Sequence, residues 1–188
     1  FFPFTVGGIT LEADTYPTFC KTLEIFANVA RKRPDIEVII KPKGPERWFR
    51  PWKKDADQAF AQAGIEPDKI KNLIINWDLD PHELILSADV VSGINTTTIL
   101  EAGVAGRAVV VPYFDKLRDP KYDDRIYLRT ELHRFDVGET AEQFEQLLLE
   151  RIESPFVPVS VLVHRQQMFN KYVSSTEANA TERTILLM

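Results

Sequence analysis

At 188 residues with 44% hydrophobic content, the chain is long enough to bury one domain of ordinary size, with room for a helical appendage. Its 23 basic and 28 acidic residues leave a net charge of −5, which removes the general electrostatic case for a nucleic-acid or anionic-membrane surface. A single cysteine, Cys20, excludes an internal disulfide framework and any cysteine-based zinc cluster; it fits a reducing compartment and reads as a packed helix residue.

Residues 1–6 (FFPFTV) read as a buried strand, and Gly7-Gly8 opens a loop that runs to Asp14. This opening lacks the basic start and cleavage region of a signal peptide, and no apolar run approaches membrane-spanning length. A start on strand residues without Met reads as a piece of a longer protein. Over residues 17–33, Phe19, Leu23, Phe26, Ala27 and Ala30 share one helical face, with Lys and Arg closing the end. Residues 36–40 form a β-branched strand. Ala56, Ala59, Phe60 and Ala63 mark a second helix ended by Gly64, residues 73–75 a third strand, and residues 81–87 a short helix.

Residues 87–112 (SADVVSGINTTTILEAGVAGRAVVVP) are the most informative stretch: strand at 88–91, hydroxyl-rich turn, helix, strand at 108–111. Asn95 or Thr96 suits the N-cap, and helix-start amides beside three threonine hydroxyls offer a seat for an anion such as phosphate. Beyond Pro112, residues 113–129 look like a long, partly exposed loop, residues 132–137 like a last edge strand, and residues 141–152 like a helix aligned on Phe144, Leu147, Leu148 and Ile152. Pro155 and Pro158 break the chain before helices at 159–172 and 178–188. Strands separated by single helices imply right-handed crossovers and a parallel sheet covered on both faces. The fold class is therefore α/β: a Rossmann-like domain over residues 1–154, with a C-terminal helical extension, residues 155–188, packed on it.

In such sheets ligands bind at the carboxyl ends of the strands, so three loops should converge. The first is Lys41-Pro42-Lys43-Gly44, in which proline separates two ammonium groups. Next comes the Asn76-Trp77-Asp78 loop with nearby His82, and last the 92–98 turn with Glu101 one helical turn on. Lys41 and Lys43 offer charge for a diphosphate, Trp77 and His82 flank a base, and Glu101 suits ribose or sugar hydroxyls. Each has a plainer reading too. The lysines also fit solvated charges after a strand, the threonines a capping cluster, Trp77 a packing residue and His82 a helix cap. His133 and His164 read as structural or exposed, and no two histidines have metal-ligand spacing, so no metal is expected. The absence of GxGxxG and of a Walker lysine loop argues against dinucleotide oxidoreductases and P-loop enzymes. The sequons at Asn95 and Asn179 are not expected to carry glycan, since the compartment reads as intracellular.

The order KPKG, then NWDLDPHELILSADVVSGINTTTILEAGVAGRAVVVPYF, then ANATERTILLM resembles the carboxyl-terminal, donor-binding half of GT-B glycosyltransferases that build bacterial surface and capsular polysaccharides. Similar in pattern are CDP-glycerol glycerophosphotransferases, capsule-type Kdo transferases and, more distantly, UDP-GlcNAc 2-epimerases. The resemblance covers residues 36–112 well and the ends loosely. It implies Lys41 and Lys43 near the donor phosphates, Asn95, Thr96 and Thr97 at the diphosphate, and Glu101 on ribose or sugar hydroxyls. Two departures stand out: Lys43 replaces the histidine of the usual Lys-Pro-His loop, and Glu177-Ala178-Asn179 replaces an Asp-Gly before the terminal segment, whose Arg183 is expected at the surface without a role at the site. The resemblance further implies a nucleotide-sugar donor as substrate, no cofactor, a glycan or lipid-linked acceptor held by an amino-terminal domain outside this sequence, and a cytoplasmic location, peripheral at the inner membrane. On this reading the isolated piece binds donor weakly and does not turn over. A sugar-nucleotide epimerase half, or a non-catalytic interaction module contacting partners through residues 113–129 and 155–158, are the alternatives.

Overall fold

The computed structural model describes residues 15–42, 50–126 and 128–173. The strand expected at residues 1–6, Lys43 and the helix expected at 178–188 lie outside them. The elements run α1 (Tyr16–Lys32), β1 (Val38–Ile40), α2 (Arg50–Gln62), β2 (Leu73–Ile75), α3 (Pro81–Ser87), β3 (Val90–Ser92), α4 (Thr98–Val104), β4 (Ala108–Pro112), β5 (Asp136–Gly138), α5 (Ala141–Glu153) and α6 (Val159–Tyr172). The chain is thus mixed α/β, with helices flanking parallel strands and C-terminal helices following them.

Local chemistry explains the element ends. Pro17 sits in the first turn of α1, where its missing N–H removes no helical bond, and Arg31 and Lys32 occupy the last turn, where cations favour the helix dipole. The α5 cap is Thr140, whose hydroxyl accepts from the Gln143 amide at 3.1 Å. Asn72 fastens α1 to the sheet: its Nδ2 reaches the carbonyls of Ala30, Arg33 and Ile36, each at 2.9 Å. Two carbonyls left open at the end of α1, those of Ala30 and the C-cap Arg33, are thereby met.

Among the described residues the strands form two parallel sheets, β1-β2 and β3-β4-β5. Val38 is level with Leu73, Val90 with Ala108, and Val110 with Asp136. One apolar cluster spans both sheets, joining Val38, Ile40 and Leu73 to Val110 beneath α1, α2 and α5. A second cluster occupies the opposite face, where Val91, Val109 and Val111 meet Ile85 of α3, Ile99 and Leu100 of α4, and Met168 of α6. β4 feeds alternate side chains into the two clusters, as a parallel strand covered on both faces must.

Several boundaries differ from the sequence expectation, among them β1, expected at 36–40 and observed at Val38–Ile40. The strand expected at 88–91 begins at Val90, because the Ala88 amide still bonds to the Leu84 carbonyl and closes α3. Residues 113–129, expected as an exposed loop, contain 3₁₀ turns at Asp115–Arg118 and Pro120–Arg125, and these bury Leu117 and Tyr122. The alternating charges of that stretch hide the apolar positions between them. In place of an edge strand at 132–137, a 3₁₀ turn spans Arg129–Arg134 and the strand is Asp136–Gly138. Leu132 and Phe135, three residues apart and both buried, match the 3₁₀ period rather than the strand period.

Gly138 ends β5 where α5 passes closest. A Cβ there would lie 2.4 Å from Phe144 Cβ and 2.5 Å from its Cα, too close for any side chain without backbone movement. Gly138→Ala is expected to lower stability by roughly 1–3 kcal/mol, the usual range for overpacking. Urea denaturation of the variant beside the parent checks this; an unchanged midpoint would contradict the packing described.

Candidate functional site

The parallel arrangement sends the loops after β1, β2 and β3 toward one rim, and the chemistry of the chain gathers there. Lys41 follows β1 directly and is only 8% exposed. Its Nζ donates to the Pro42 carbonyl at 2.8 Å. Burial pushes the ammonium below the ordinary lysine range, an effect partly opposed by the carboxylates of Asp78 and Asp80. Those two residues belong to the loop after β2, so the first and second loops meet at this lysine.

The second loop is held by its own side chains. Asn76 Oδ1 accepts from the amides of Asp78 at 2.8 Å and Leu79 at 3.2 Å, forming an Asx turn. Asp80 caps α3, accepting from the amides of His82 at 2.8 Å and Glu83 at 3.0 Å. Its carboxyl is held below the usual range first by the Glu83 amide; burial, next in size, opposes this, and the His82 amide and the charges of His82 and Lys41 add to the lowering. Trp77 packs edge-on against Trp52, with ring centroids 5.2 Å apart at 88°, and joins the first apolar cluster.

His82 bridges to the third loop. Its Nδ1 lies 3.8 Å from Asp80 and its Nε2 3.7 Å from Oε2 of Glu101, on α4. The other oxygen of Glu101 accepts from the Thr97 hydroxyl at 3.3 Å. Lys41, Asp80, His82, Glu101 and Thr97 therefore follow one another across the rim from β1 to α4. Ser92, at the end of β3, is 3% exposed, and its Oγ has no hydrogen-bond partner among the described residues. Ser92 and Lys41 both line a cleft of about 480 Å³.

The threonine turn departs from the expected anion seat. Thr97, rather than Asn95 or Thr96, stands at the N-cap of α4, with helical backbone and no side-chain cap bond. The Thr96 hydroxyl donates to Thr98 Oγ1 at 2.9 Å and accepts from the Thr98 amide at 3.3 Å. Asn95 takes a left-handed backbone, φ 53°, and its Nδ2 donates to the Arg125 carbonyl at 3.0 Å. α4 has only seven residues, too short for a strong dipole at its start. Lys41 supplies cation charge at the rim; Lys43 lies outside the described residues.

One member of this rim escaped the sequence reading. Asp80 was legible as an N-cap, since Asp directly before Pro81 at the first helical position is a strong helix-start signal. Ser92 opens the expected 92–98 turn but is given no role of its own there, because a serine ending a strand is common. Among the described residues no group of His, Cys, Asp and Glu is placed to hold a metal ion, and no helix is long and apolar enough to cross a membrane. Compared with protein-family models, curated proteins and solved structures, the chain matches none.

The cap at Asp80 sets a pH dependence. A depressed folded-state pKa contributes stability above the unfolded value, near 4, and that contribution is lost as pH falls through the folded value. The His82 and Glu83 amides are expected to lose protection, measured against their intrinsic exchange rates, once the pH drops below that range, and Asp80→Ala should produce the same loss at neutral pH. Amide exchange by NMR reads both; protection unaffected by acid or by the substitution would remove the cap from the account.

Proposed function

We propose that this domain binds the donor nucleotide sugar of a GT-B glycosyltransferase of surface polysaccharide synthesis, with the donor diphosphate at Lys41. The observation that carries the reading is the buried Lys41 ammonium at the rim of a parallel α/β sheet, facing a second loop that leads through Asp80 and His82 to Glu101. An ammonium depressed by desolvation gains most from an incoming anion, because the phosphate replaces the water that burial removed.

The roles divide by charge. Lys41, joined by Lys43 from the same loop, meets the diphosphate, and a cation so placed also stabilises the negative charge that grows on the departing nucleotide during transfer. Glu101 accepts hydrogen bonds from the hydroxyls of ribose or sugar, with one of its oxygens held by the Thr97 hydroxyl. His82, exposed at the mouth of the rim, is free to turn toward the ligand. Asp78 and Asp80 moderate the positive charge, and in the field that remains the more highly charged diphosphate gains more than a monophosphate does. The acceptor and any general base belong to a partner domain outside this sequence.

Calorimetric titration of the chain with UDP, CDP and CMP tests the reading. A diphosphate nucleotide is expected to bind more tightly than CMP. Lys41→Met should weaken that binding by about ten- to a hundredfold, the range for losing one charged hydrogen bond. The same substitution should leave the denaturation midpoint at or above the parent value, since it removes a charge whose burial opposes folding. Absence of binding by all three at millimolar concentration, or equal affinity of the parent and Lys41→Met, would overturn the assignment.

A further inference from the structure

We draw no further inference here: the strongest candidate, the exposed apolar surface of Phe156, Val159 and Val163 at and just before the start of α6, is an unpartnered face, and nothing in the structure shows what covers it.

Discussion

Burial of β4 on both faces is the constraint from which the rest of the molecule follows. Its residues from Ala108 to Pro112 are all buried, with Val110 turned into one apolar cluster and Val109 and Val111 into the other. A strand in that position needs hydrogen-bonded neighbours on two edges and helices above and below. β3 and β5 meet the first need; α5 on one side and α4 with α6 on the other meet the second. Because the strands are parallel, each helix must return the chain to the opposite end of the sheet, so every loop leaving a strand emerges on one rim. Placement of the polar groups is a consequence of packing before it is a matter of chemistry.

That rim is stiffened by side chains that bond to backbone rather than to one another. Asn76 and Asp80 shape the loop after β2 through amide hydrogens, and Asn72 fixes the end of α1 where β1 begins. Such local bonds satisfy groups that helix ends and turns leave open, and they hold Asp78 and Asp80 facing Lys41. The chain from Lys41 to Glu101 is therefore carried by short, individually ordinary interactions. Its two His82 contacts, at 3.7 and 3.8 Å, are the loosest links, and the exposed imidazole contributes little rigidity.

The sequence made the framework readable where periodicity was strong and burial complete. α1 and α5 were visible from apolar positions repeating at helical spacing, and β4 from an uninterrupted apolar run, because in each case one physical requirement fixes many residues at once. Short elements escaped for the opposite reason. The 3₁₀ turns between Asp115 and Arg134 each bury only one or two side chains amid charges, so no repeat is long enough to register. At the rim, Lys41, His82, Thr97 and Glu101 were singled out by residue type and position after strands, and the structure does bring them into one chain. At the helix start the N-cap is Thr97 rather than Asn95 or Thr96, and the hydroxyls of the threonine run bond to each other and to the neighbouring carboxylate. Only side-chain geometry distinguishes these outcomes.

The two buried cations among the described residues show why Lys41 points to a ligand while Arg165 does not. Arg165, 3% exposed, donates to the carbonyls of Arg134 at 3.2 Å and Arg107 at 3.0 Å and lies 5.0 Å from the centroid of the Phe135 ring. Burial lowers its pKa, with Asp136 opposing, yet its donors have partners, and it ties α6 to the turn before β5 and to the residue leading into β4. Removing it would loosen packing. Lys41 is nearly as buried, but its one hydrogen bond among the described residues goes to the adjacent Pro42 carbonyl, which fastens no distant element. An ammonium desolvated without cross-linking the fold destabilises the empty domain. That cost is offset only when an anion arrives at the rim, so the placement of Lys41 makes physical sense for a domain whose ligand brings the missing charge.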